Sequence, residues 1–233
     1  MRIDKEWAER FARACVRVPW ARRLSLASAE VLYSAAPQGR CWVVASGYVK
    51  LIDPRPDGDR FIRLIHGRGG LFGDRPFGTK AFHGFPSVHY ELAVAHGPAE
   101  VVEVGRAELE AAALADADLA ALLLESAAVR AEFLERRLLW QCTSPIRARL
   151  AAALRDLICY EGDRCRHGHT IDVRLSHQDL AELVGAARPV VSAELARMRR
   201  EGLVQYTRCY FCVDDLDGLS RIAAGDASDE CSA

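Results

Sequence analysis

The sequence predicts an α+β chain in three successive parts: an antiparallel β-roll, one long helix, and a helix-turn-helix with a hairpin behind it. Three observations predict this. Short apolar runs alternate with turn residues from about Val31 to Val104, the signature of many short antiparallel strands. No Gly or Pro interrupts the stretch from Leu119 to Trp140. Between Leu175 and Val213, two short amphipathic segments flank Gly185 and two β-rich runs follow them.

The bulk composition sets the frame. A chain of 233 residues is long enough for two cores. Hydrophobic residues at 50% and charged residues at 27% fit an ordinary soluble globular protein. The net charge of -1 does not advertise a polyanionic partner, so any basic face must be local. The first 23 residues mix Lys5, Glu6, Glu9, Arg10 and Arg13 with their apolar positions, which excludes an export signal. No run approaches the roughly 20 apolar residues of a membrane span. The expectation is a cytoplasmic protein with no membrane partner, whose 8 Cys are thiols, ligands or core residues rather than disulfides. No Ser/His/Asp spacing, phosphate-binding glycine loop or paired-carboxylate motif is present, so no enzyme activity is expected.

In chain order, Trp7, Phe11, Ala14 and Cys15 recur at helical spacing and predict a first helix. Strands are predicted around 42–44, 48–52, 61–65, 91–94 and 101–104. Asp57-Gly58 marks a hairpin, because such a turn requires positive φ. The roll is taken as residues 1–116. Asp116 and Asp118 suit the start of the long helix, 117–142. Leu119, Leu122, Ser126, Val129, Phe133, Arg136 and Trp140 fall on an a/d-type stripe along it. That stripe is either a seam with a second copy of the chain or the inward face of a core helix. The dimer is the more economical account, since a helix this long outreaches a small roll. Residues 143–224 form the last domain, opened by Ser144-Pro145. The small polar residues of 225–233 suggest a disordered tail.

The informative segment begins with Ser176, a good N-cap with Asp179 three residues on. Leu180, Leu183 and Val184 form a buried face, and Gly185 permits a sharp turn. A second helix follows, with Pro189 near its start and Val191, Leu195 and Met198 inward. Gly202 ends it, and the runs 203–206 and 209–213 read as a hairpin. Between Arg188 and Arg208, the cations Arg188, Arg197, Arg199, Arg200 and Arg208 face only Glu194 and Glu201. A local basic region of this kind suits phosphate anchoring.

The run Leu-Ser-His-Gln-Asp-Leu-Ala-Glu-Leu-Val-Gly-Ala-Ala-Arg-Pro-Val-Val-Ser, followed by Glu-Gly-Leu-Val, resembles the winged helix-turn-helix of the cyclic-AMP receptor/FNR (CRP/FNR) family of bacterial regulators. The glycines at 39, 47, 58, 70 and 73 and the Pro-Ile-Arg-Ala-Arg-Leu run extend the resemblance over nearly the whole chain. It implies a cyclic-nucleotide-binding-like roll, a homodimer, and a sequence-specific transcription regulator bound to double-stranded DNA at an inverted repeat. RNA polymerase is the implied further partner. It also implies a DNA-binding set of Ser176, His177, Arg188, Pro189, Ser192, Arg197, Arg199 and Arg208, with Arg188 as leading base reader. Pro189 and Ala193 stand where several relatives carry base-reading residues, and Val190 replaces a common Thr. A ligand-binding signalling module without DNA function is the alternative; it leaves the hairpin and the arginines unexplained.

The sensor end departs from the family pattern. Relatives that bind cyclic AMP use a Gly-Glu pair and an Arg-Ser or Arg-Thr pair, a carboxylate for the ribose and a cation for the phosphate. Here Gly73-Asp74 shortens the acid, and His89-Tyr90 stands at the second pair. Activation by cyclic AMP is therefore not expected, and no cofactor is assigned. Cys209, Cys212, Cys159 and Cys165 are weak metal candidates, because i and i+3 in a strand face opposite sides.

Overall fold

The computed structural model describes residues 5–34, 39–54, 58–77, 91–165, 168–171, 173–207 and 210–225. The chain divides into two compact units between Glu132 and Phe133.

The first unit opens with α1 (Lys5–Val16), and eight strands follow: β1 (Arg22–Leu26), β2 (Val31–Tyr33), β3 (Arg40–Ser46), β4 (Val49–Pro54), β5 (Arg60–His66), β6 (Leu71–Gly73), β7 (Leu92–Ala95) and β8 (Ala99–Gly105). They form two antiparallel four-stranded sheets, ordered β1-β8-β3-β6 and β2-β7-β4-β5. Two glycines fix the turns. Gly58 has φ 87, as the hairpin between β4 and β5 requires. Gly47 has φ 73, and a Cβ there would lie 2.3 Å from the Pro98 carbonyl oxygen, so only glycine lets the two turns touch. Phe11 and Cys15 of α1 are fully buried in one core with Val43, Val102 and Val104 from the strands.

Two helices follow, α2 (Arg106–Ala115) and α3 (Ala117–Thr143). Along α3, the residues expected on the a/d seam are buried or half-buried within one chain. Leu119, Leu122 and Val129 are only 3%, 6% and 9% exposed, and the first two sit in the core that holds Phe11 and Leu109. Their hydrophobic drive is satisfied within the roll. Ser126, Phe133 and Trp140 are half-buried, and the Trp140 ring lies between the Arg136 and Arg155 guanidiniums. A second stripe is exposed instead: Ala121, Leu124, Ala128, Ala131, Glu135, Leu138 and Cys142. Its spacing alternates three and four, a true heptad register.

The second unit begins with α4 (Ile146–Glu161) and β9 (Gly162–Cys165). Then come β10 (Gly168–Ile171), α5 (His177–Val184), α6 (Arg188–Arg200), β11 (Val204–Thr207), β12 (Tyr210–Val213) and α7 (Leu216–Ala224). The strands form one antiparallel four-stranded sheet, β11-β12-β10-β9. Helix α7 was not anticipated. It is capped by Asp215, which accepts from the Gly218 N–H at 2.7 Å, and it buries Leu219 and Ala223. Of the tail expected at 225–233, only Gly225 lies within the described residues.

Candidate DNA-binding site

Helix α5 is built as its sequence suggests. Ser176 and Asp179 form a complete capping box, and Gly185 takes the left-handed conformation with φ 66. The orphan carbonyls at its C-terminal end have partners from two other helices. Arg137 of α3 donates to the Leu183 carbonyl, and Gln141 and Arg149 donate to that of Val184 at 3.1 and 3.2 Å. These bonds fix the turn that aims α6.

On α6, Val191, Leu195 and Met198 are fully buried. At 100° per residue, the face opposite them carries Pro189, Ala193, Ala196 and Arg200, all exposed. Three small side chains and one cation make a lean surface on which a helix backbone can approach a groove closely.

The expected site residues divide sharply. Arg188, at the first turn of α6, is exposed and has no hydrogen-bond or ion-pair partner among the described residues. Arg199 lies 5.3 Å over the Tyr206 ring of β11, a cation–π contact that leaves its hydrogen-bonding edge open. Ser192 bonds the His177 Nδ1 at 2.9 Å, and the His177 ring meets Tyr206 edge-on at 5.2 Å. Burial, and then the charge of Arg188, hold the His177 pKa below the ordinary imidazole value. Ser176 is drawn inward, since its hydroxyl serves the cap, donating to Asp179 at 2.6 Å. Arg197 is paired with Glu201 at 3.0 Å. Arg208 lies outside the described residues. Sequence reasoning left Arg200 out of the site, although its helical phase on a known α6 points it outward.

In the roll, Asp74 is already engaged: its carboxylate accepts from the Gly39 N–H at 3.1 Å and pairs with Arg106 at 3.0 Å. His89 and Tyr90 lie outside the described residues. Nearby, Glu91 is buried and bonds the Tyr33 hydroxyl and Arg63. Arg130 of α3 lies 3.4 Å from His66, and its buried Nε has no hydrogen-bond partner among the described residues. Of the cysteines weighed as metal ligands, Cys209 and the side chains of Cys159 and Cys165 lie outside the described residues, and Cys212 is half-buried on β12.

A capped helix, a glycine turn, a helix with an open cation at its start and a β-hairpin behind it define a class: the winged helix-turn-helix DNA-binding proteins. Comparison with known proteins narrows it. Residues 148–222 match the Crp-like helix-turn-helix domain. The chain is 26% identical to a global nitrogen regulator of Nostoc sp. over 82% of its own length and 84% of that protein. A Synechocystis global nitrogen regulator is 25% identical over 83% and 84%. Among solved structures, FixK2 from Bradyrhizobium japonicum superposes with a TM-score of 0.70 at 22% identity, covering 87% of this chain and 96% of that one. A CRP/FNR-family regulator from Thermus thermophilus gives 0.69 at 22%, covering 87% and 98%. The chain is a DNA-binding transcription regulator with a Crp-like helix-turn-helix domain, and over most of its length it is similar to CRP/FNR-family regulators. Among the described residues, no helix is long and apolar enough to cross a membrane.

Proposed function

We propose that the protein binds an inverted-repeat operator as a cytoplasmic homodimer, with Arg188 reading a base and Arg199 and Arg200 anchoring phosphates. The observation that carries this reading is Arg188: an exposed, unpaired guanidinium at the N-terminal end of α6, beside a face of small side chains. Its two-pronged fork suits the paired acceptors of guanine in the major groove. The exposed heptad stripe of α3 supports a second copy as the partner of that helix. Leu124 and Leu138 on the stripe are 73% and 66% exposed, an arrangement better satisfied by a matching helix than by water.

Cyclic AMP is not the activating ligand in this reading. A ribose hydroxyl needs a carboxylate, and that of Asp74 is held by Arg106 and the Gly39 N–H. RNA polymerase as a further partner follows from the family alone. The deciding experiment selects genomic fragments with the wild-type protein and measures their affinity for Arg188→Ala. An inverted repeat whose recognition relaxes at one position per half-site supports the proposal. Equal loss for every single-base variant refutes base reading by Arg188 and favours readout of DNA shape.

A further inference from the structure

Helix α6 carries two carboxylates, Glu194 and Glu201, on the flank between its outward face and its buried face. Left bare, each would repel the phosphates that Arg188, Arg199 and Arg200 attract. An α-helix is about 10 Å across and the Debye length is about 10 Å at 0.1 M salt, so no carboxylate on this helix is screened from an adjacent groove.

Both have the same partner. Arg147 of α4 reaches Glu194 at 3.5 Å with one terminal nitrogen and bonds Glu201 with the other. Its side chain is 16% exposed, so it presents almost nothing to solvent itself. Glu201 also pairs with Arg197 at 3.0 Å. Hydrogen bonds and charge from Arg147 and then Arg197 outweigh burial and hold the Glu201 carboxyl below its ordinary range, so it stays ionised and paired.

We propose that Arg147 is a positioning residue for DNA binding: it neutralises both acids of the recognition helix from behind and tethers that helix to α4. The four groups Arg147, Glu194, Arg197 and Glu201 sum to zero charge. Arg188, Arg199 and Arg200 then act on the phosphates unopposed. Lys in place of Arg147 lacks the fork that spans two carboxylates. The inference rests on α6 being the DNA-facing helix.

The test measures binding of the full-length protein to a fluorescein-labelled mixed-sequence duplex by anisotropy across a salt series. Arg147→Ala is expected to weaken binding about tenfold at low salt and to flatten the salt dependence. Adding Glu194→Gln and Glu201→Gln to that variant removes the exposed acids and should restore affinity to within about twofold of wild type or better. A purely mechanical tether predicts the opposite, because removing the acids cannot rebuild the link. Arg147→Gln, which retains most of the aliphatic stem, is read the same way if the alanine variant does not fold. Unchanged affinity in Arg147→Ala, or a triple variant as weak as the single one, overturns the proposal. Arg188→Ala/Arg200→Ala is the control. If that variant binds like wild type, the DNA-facing reading of α6 is wrong, and this inference fails with it.

Discussion

Arg188 and Arg197 lie nine positions apart on one helix, half a turn out of phase, and only one of them has a carboxylate partner among the described residues. Arg197 has Glu201 one turn on, whereas Arg188 has no such partner. The proposed reading gives base reading to the unpaired one. Arg188→Ala should cost about 1–3 kcal/mol on the selected operator and relax preference at one base pair in each half-site. Arg197→Ala, by contrast, should change affinity for all sequences only slightly; titrating both variants against single-base operator variants checks the contrast. A second residue-scale expectation concerns His66, whose pKa is pushed down to about 3 by burial and then by Arg130, Arg75 and Arg63. The folded-state value is depressed, so the unfolded chain binds the extra proton below the ordinary imidazole pKa of about 6.5. The neutral ring's stabilising contribution is complete above that value and is lost as pH falls toward 3. Urea unfolding between pH 7 and pH 4 should show a shallower loss of stability in His66→Gln than in wild type; equal slopes would show that another group carries the dependence.

Helix α3 shows how far periodicity alone reaches at the scale of an element. Its sequence carries apolar residues on two faces, and the face through Leu119, Leu122 and Val129 is the more apolar. That face turns into the roll, and the leaner one through Ala121, Leu124, Ala128, Ala131 and Leu138 stays open. Nothing local distinguishes a core stripe from a partner stripe; only the position of the roll does. The helix-turn-helix was legible because its signals are local: a cap and its box, one glycine and a buried face at helical spacing. The pairing of Arg147 with Glu194 and Glu201 was not legible, since it spans about fifty residues of chain. The exposed stripe predicts that Leu138→Asp yields a monomer in sedimentation, while Phe133→Asp does not separate the subunits as effectively. In the proposed dimer, Cys142 is at an a position of this stripe and would face its own copy across a parallel seam. Copper-catalysed oxidation should therefore cross-link wild type but not Cys142→Ser, and its failure to do so would move the seam elsewhere.

For the whole molecule, a parallel seam along α3 imposes a two-fold axis, and the two copies of α6 are then related by that axis. In the proposed complex the two recognition helices would meet successive major grooves on one side of the duplex, about 34 Å apart, at inverted half-sites. The net charge of -1 adds a condition: affinity has to come from the few unpaired cations of α6 rather than from the protein as a whole. Affinity should therefore fall with salt along a modest slope, set by the small number of phosphates those residues reach in two subunits. Spacing gives the sharper test. Inserting half a helical turn, about 5 base pairs, between half-sites puts the second groove on the far side of the duplex and should reduce binding to that of one half-site. Inserting a full turn keeps the face but lengthens the separation beyond what a fixed pair of α6 helices spans, so it should not restore affinity. A protein that binds both insertions as well as the native spacing would have α6 helices that move independently, and the two-fold arrangement would have to be abandoned.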